Sequence, residues 1–368
     1  MRFTSVAGLV ALSALVGAAP SPSPLDTRAT GKCTNPVVRK EWRRHTVAEK
    51  KEFIRALQCI AKIPHQPNLY KTRITGGIAL INTTATHYDD WVYLHMDSNM
   101  ATHVVAQFFP WHRWYLNAFE TDLKKKCDFK GTMPYWDWTL DAHDIYNSPI
   151  FESDPTYGLG TWGKAENDWH VTDGAFANAT RAYPVPHTIR RQFTPQPFGQ
   201  NLIFPFEYAN KTAWANETAT PNAIEFMIDN FEGDSAAFFA AMEGPRVQGV
   251  HNAVHLMIGG DMSDPSPTPS DPLFWLHHGQ LDSTWARWQA RRPANARSFY
   301  GGSVQDLPRY DEYPVGIYPL ATTKTLLPVS GMEAADVPIE EVMSITGNYT
   351  DRVTGFSGGR LCYTYDSM

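Results

Sequence analysis

Thirteen histidines occur in the 368 residues, and several stand at spacings that suit metal binding. A lone histidine in a globular chain more often hydrogen-bonds in the core or sits at the surface, so the argument rests on clustering and register. In His251-Asn252-Ala253-Val254-His255 the two histidines are four apart. On a helix that spacing puts both imidazoles on one face, one turn apart, where they can grip one ion. A third ligand is close by in Asp271-Pro272-Leu273-Phe274-Trp275-Leu276-His277-His278, which starts a turn and then becomes apolar. The same logic recurs upstream. His112 lies in the aromatic run Phe108-Phe109-Pro110-Trp111-His112-Arg113-Trp114-Tyr115, with His103 nine residues before it and His95 eight before that.

Two groups of three imidazoles fit two metal ions. An all-imidazole set, without thiolate or carboxylate, suits copper or zinc. Zinc hydrolases of the His-Glu-x-x-His type need a glutamate beside the first histidine as general base. Asn252 occupies that place, so zinc-dependent hydrolysis loses its base. A phosphate-binding loop, a dinucleotide fingerprint and a nucleophile elbow are all absent from the sequence. The net charge of −6 argues against a nucleic-acid partner. Lys124-Lys125-Lys126 reads as solvated helix surface.

The elements that must position these residues are mostly helical. Thr46 to Ala61 carries Phe53, Ile54, Leu57 and Ile60 at helical spacing, with Thr46 and Glu49 as a capping box. Asp89 to Met96 continues a helix that Thr86 can cap. Phe108 to Lys126 reads as a long helix with Pro110 in its first turn. Ser235 to Met242, Val247 to Ile258 and Leu273 to Arg291 are further helices. Long stretches rich in Pro, Gly and Asn, Asn147 to Pro221 and Leu307 to Val337, read as loops over a helical centre. No repeat and no internal linker divides the chain.

The first residues carry an export signature: Arg2, an apolar run from Phe3 to Val16, and small residues at Gly17-Ala18-Ala19. Residues 1–19 are read as a signal peptide, 20–28 as a short linker or pro-segment, and 29–368 as one catalytic domain. The run is too short for a membrane span and no later stretch qualifies, so no membrane association is expected. Four cysteines allow three disulfide pairings. Cys33–Cys362 with Cys59–Cys127 is the favoured set, because the first bond ties both ends of the domain together. Five Asn-x-Ser/Thr sequons, at Asn82, Asn178, Asn210, Asn216 and Asn348, fit a glycosylated, secreted protein.

Taken together, these stretches resemble the tyrosinase and catechol oxidase family, the type-3 copper proteins. The resemblance rests on His95 and His103, on Phe109-Pro110-Trp111-His112-Arg113, and on Pro134-Tyr135-Trp136-Asp137-Trp138. It continues through His251-Asn252-x-x-His255, Ile258-Gly259-Gly260-Asp261-Met262 and Asp271-Pro272-x-Phe274-Trp275-x-His277-His278-x-x-x-Asp282, covering roughly Cys33 to Tyr365.

The resemblance implies a mainly α fold, a four-helix bundle whose core holds two copper ions. It implies His95, His103 and His112 on the first, and His251, His255 and His278 on the second, with His277 a neighbour. Phe274 resembles an aromatic that packs against a ligand ring. Asp282 resembles an acid paired with an N-terminal arginine, for which Arg39 is the candidate. Glu243 and Asn252 resemble a pair that holds a water to deprotonate an incoming phenol, and Leu256 a position that tunes substrate access. Ala101 stands where many fungal and plant relatives have a thioether-forming cysteine. Tyr363-x-Tyr365 resembles the motif that closes the core, which implies a short form without the plugging C-terminal domain of longer relatives. The implied reaction is oxidation of o-diphenols to o-quinones with O2, with slower o-hydroxylation of monophenols. The other readings are a pure catechol oxidase, a haemocyanin-like oxygen carrier, and a copper-storage protein. Small phenols are the expected partners; the oligomeric state is not legible.

Overall fold

The computed structural model describes residues 33–368 except 73, 200–209, 245–247, 305–318 and 333. The expected signal and linker segments lie outside the described residues. Helix α1 (Val47–Ile60) starts at Thr46, whose hydroxyl accepts from the Glu49 N–H while Glu49 reaches back to the Thr46 N–H. Its apolar stripe of Phe53, Ile54, Leu57 and Ile60 is buried. Helix α2 (His87–Thr102) opens with the same device, from Thr86 and Asp89. It extends beyond the expected Asp89 to Met96. Almost every side chain from His87 to Asn99 is buried, so the helix has no polar face and little amphipathic period to betray its length.

Helix α3 (Phe108–Cys127) carries Pro110 in its first turn and ends at Asp128, which is in the left-handed region at φ 54°. Helix α4 (Pro221–Asn230), not anticipated from the sequence, is capped by Thr220 and has proline at its first position. Helices α5 (Ser235–Glu243), α6 (Val250–Ile258), α7 (Leu273–Arg291) and the short α8 (Pro293–Arg297) follow. Helix α3 packs against α1, α2 and α7, and α5 packs on α6.

The two ends of the described chain meet. The strand Val37–Arg39 runs parallel to Tyr363–Tyr365, with Val37 opposite Tyr363. The Cys33–Cys362 bond lies just outside this pair, and Cys59–Cys127 fastens the end of α1 to the end of α3. The long loop after Asn147 is not loose either. The fully buried Arg191 guanidinium holds the Asp271 carboxylate through two hydrogen bonds of 2.7 and 2.9 Å, and Asp271 in turn accepts from the Leu273 N–H at the start of α7. Such bidentate, charge-assisted contacts fix a loop to a helix end with defined geometry.

Candidate metal centre

Four helices bring six imidazoles together. Helix α2 carries His95 and ends at His103, which is its C-terminal cap; α3 carries His112. These three rings have centroids 4.9, 5.0 and 5.7 Å apart. Helix α6 carries His251 and His255, and α7 carries His278, with centroids 5.0 to 5.3 Å apart. The triads face each other: the His112 and His278 rings stack at 4.3 Å.

The hydrogen bonds decide which ring nitrogen faces inward. The Nδ1 atoms of His95, His103, His112 and His255 lie 2.8 to 3.0 Å from the carbonyls of Ser266, Asn99, Phe108 and Met262 respectively. A carbonyl only accepts, so each Nδ1 bears the proton and each Nε2 keeps a lone pair. The Nε2 atoms of His95, His112 and His251 are buried without a partner. Those of His255 and His278 approach to 3.2 Å. Bare acceptors buried together cost about 1–3 kcal/mol each unless a cation satisfies them. The donor set therefore fits two cations of the copper type.

Burial, followed by the neighbouring histidines, holds His95, His112, His255 and His278 well below the ordinary histidine value. Burial and then His251 bring His103 down to about 4. All five are neutral near pH 7, the form that coordinates metal.

His277 is also close enough to belong to the second cluster. Its Nδ1, however, accepts the indole N–H of Trp138 at 3.2 Å, which leaves the proton on Nε2. Glu243 packs against His251 of the second cluster. Its Oε1 is 2.7 Å from His251 Nδ1, and its Oε2 accepts from Asn252 Nδ2 at 3.0 Å. Burial pushes its carboxyl up, but His251 and the Asn252 amide outweigh this and hold it below the usual range. Phe274 touches four of the rings, nearest His278 at 4.3 Å. Phe108, unassigned in the sequence reading, does the same from α3, at 4.6 Å from His251 and 4.9 Å from His112. A signal existed: Phe108 precedes His112 by four residues, as Phe274 precedes His278.

The expected Arg39–Asp282 ion pair is present, but at 3.8 Å it is longer than the hydrogen bonds each partner makes. Arg39 gives its Nε and Nη2 hydrogen bonds to Glu120 at 3.1 and 2.7 Å, and comes only within 3.8 Å of Asp282. Asp282 instead accepts from Arg113 Nε at 2.5 Å and from the hydroxyls of Tyr363 and Tyr365 at 2.6 and 2.5 Å. Arg113 follows His112 on α3 and Asp282 lies one turn after His278 on α7, so the shorter path across the bundle belongs to Arg113.

Helix α6 stops at Gly259-Gly260, both with positive φ. A Cβ at Gly259 would come within 2.1 Å of the Gln192 carbonyl, and one at Gly260 within 2.1 Å of that of Arg190. Only glycine lets the chain turn there and swing the Met262 carbonyl onto His255. A mouth opens over the second cluster, lined by His103, Val104, Glu243, Asn252, Leu256 and Pro265 among others. Val104 sits there at φ 57°, which costs an L residue about 1–2 kcal/mol.

A helical core holding two opposed, all-imidazole clusters defines the class of dinuclear copper oxidoreductases. Residues 85–291 match the family described as the common central domain of tyrosinase. The chain is 31% identical over 349 residues to the tyrosinase-like protein phomQ1 of Diaporthe leptostromiformis, covering 92% of this chain and 80% of that one. It is 31% identical over 340 residues to tyrosinase ustQ of Aspergillus flavus, covering 90% and 80%. A polyphenol oxidase variant from Thermothelomyces thermophila shares the fold, with a TM-score of 0.69, 24% identity and coverage of 92% and 91%. The chain belongs to the tyrosinase family and is an oxidoreductase of the polyphenol oxidase type, with its two triads forming a type-3 dicopper centre.

Proposed function

We propose that the protein oxidises o-diphenols to o-quinones with O2 and hydroxylates monophenols more slowly. The observation that carries this reading is the pair of facing imidazole clusters with inward lone pairs, with a mouth over the second among the described residues. We assign His95, His103 and His112 to the first ion and His251, His255 and His278 to the second. His277 is left out because its inward nitrogen is protonated. Two copper ions held there would supply the redox couple through which O2 takes four electrons from two diphenols and leaves as water.

The chain's own residues bind, orient and move protons. The apolar walls of the mouth, Val104 and Leu256, admit an aromatic ring. Phe108 and Phe274 hold the imidazoles at fixed angles. Glu243, joined to Asn252, offers a buried carboxylate beside the position where a phenol gives up its proton. A phenol with a pKa near about 10 needs such help at neutral pH. Initial rates on tyrosol and on a catechol, for the wild type and for Asn252→Ala, test the reading. Asn252→Ala is expected to lower the monophenol rate about tenfold and the diphenol rate less. A wild type without monophenol activity moves the function to catechol oxidase, and one that oxidises neither substrate removes the proposal.

Export belongs to the same proposal. Two disulfides within the described residues suit an oxidising compartment. Of the five sequons, Asn178, Asn210 and Asn348 are exposed and Asn82 is half-buried. Asn216 is the least suited: its Nδ2, the atom a glycan would occupy, donates to the Ala142 carbonyl at 2.7 Å. Glycopeptide mass spectrometry is expected to find Asn216 unmodified.

A further inference from the structure

Between two well-fixed segments stands a residue whose conformation works against it. On one side, His103 is tied back to Asn99 through both its N–H and its Nδ1. On the other, Val105 and Ala106 are buried, and the Ala106 N–H donates to the Ser303 carbonyl. The reversal of direction between them falls on Val104, at φ 57°. A β-branched side chain is among the least suited to that region, and glycine or asparagine would take it with less strain. The valine gains little burial in exchange, since it is 42% exposed. Val104 lines the mouth, next to His103 and together with Asn252 and Leu256.

We propose that Val104 is a specificity-determining residue: its strained backbone projects a rigid isopropyl group into the mouth, where it restricts ring substituents on the incoming phenol. The inference rests on the reading of the site as a phenol site, and adds the residue that selects among phenols by bulk. A β-branched side chain suits this task because its χ1 is confined, so the wall does not swing aside. Leu256, 3% exposed, is another apolar wall and is fixed by its place on α6. Strain kept at a site of this kind fits a role in binding rather than in stability.

The test uses Val104→Gly and Val104→Ala. Both remove the isopropyl group, and only glycine also releases the backbone. The measurement is the Kd of catechol and of 4-tert-butylcatechol by calorimetry on copper-loaded protein kept free of O2, so that turnover is not required. Both variants are expected to keep two coppers and to shift the affinity ratio towards the bulky ligand by about tenfold. The midpoint of thermal unfolding should rise for Val104→Gly and not for Val104→Ala. An unchanged ratio in both copper-replete variants overturns the proposal. A wild type that binds both ligands but oxidises neither removes the functional reading and leaves the binding ratio to decide this one.

Discussion

The two triads match in number but are held in different ways. Each imidazole of the first is hooked through Nδ1 onto a neutral backbone carbonyl, of Ser266, Asn99 or Phe108. In the second, only His255 has such a hook, on Met262. His251 faces the Glu243 carboxylate, and His278 Nδ1 has no hydrogen-bond partner among the described residues. A carbonyl orients a ring without adding charge. A carboxylate also makes the imidazole a stronger donor and stabilises positive charge beyond it. The first cluster is therefore built for fixed geometry. The second adds electrostatic tuning, and it contributes most of the mouth through Asn252, Leu256 and both α6 histidines.

Removing a ligand should expose the contrast most strongly. His278→Ala is expected to lose the second copper and reduce oxidation to background, while His277→Ala keeps both coppers and part of the activity. Metal analysis beside a catechol assay checks this, and equal copper loss in both variants would show that the choice within the pair is wrong. Next in size is the contact that joins the clusters. Asp282→Ala leaves the Arg113 guanidinium buried and unpaired between α3 and α7, for an expected loss of about 3–5 kcal/mol in denaturant unfolding. A loss under about 1 kcal/mol would mean that Gln289 and the Val342 and Met343 carbonyls hold Arg113 well enough alone.

Glu243→Gln sharpens the difference between the clusters directly. Competition with a chelator should show second-site copper affinity lowered by about 10–100-fold with first-site affinity unchanged. Equal weakening of both sites would erase the distinction.

The smallest effect concerns the frame of the first cluster. His87, two turns before His95 on α2, lies between the carboxylates of Asp90 at 3.0 Å and Asp122 at 2.5 Å, and Asp122 belongs to α3. His65 and the Trp91 indole also face this cluster. Burial pulls the His87 pKa down, but the two carboxylates more than offset this and raise it. A raised histidine pKa stabilises the fold fully below the unfolded value, about 6.5, and that contribution is lost as pH rises through the folded value. His87→Gln should therefore narrow the gap in unfolding midpoint between pH 6 and pH 9. An unchanged gap would place the pH dependence elsewhere.

Several helix starts were legible from local signals. Thr46 with Glu49, Thr86, and Pro110 marked starts that the structure keeps. The length of α2 was not legible, because a helix buried all round shows no polar face. Helix α4 went unread directly after the loop-rich stretch that ends at Pro221, although Ile224, Met227 and Ile228 recur at helical spacing. The clusters themselves were visible as spacings: four between His251 and His255, and shared aromatic settings around His112 and His278.

What the sequence determined by itself is register. The helical period puts His251 and His255 on one face and separates His277 from His278 by about 100°, whatever the rest of the chain does. What only the tertiary structure decided is partnership. Trp138 settles the proton on His277 across 139 residues, and Arg113 hydrogen-bonds Asp282 across 169 while Arg39 stays at ion-pair distance. Fixed segments on either side force Val104 into the left-handed region. Register follows from bonds between near neighbours, whereas a hydrogen-bond partner or a strained φ depends on which distant groups packing brings within about 3 Å.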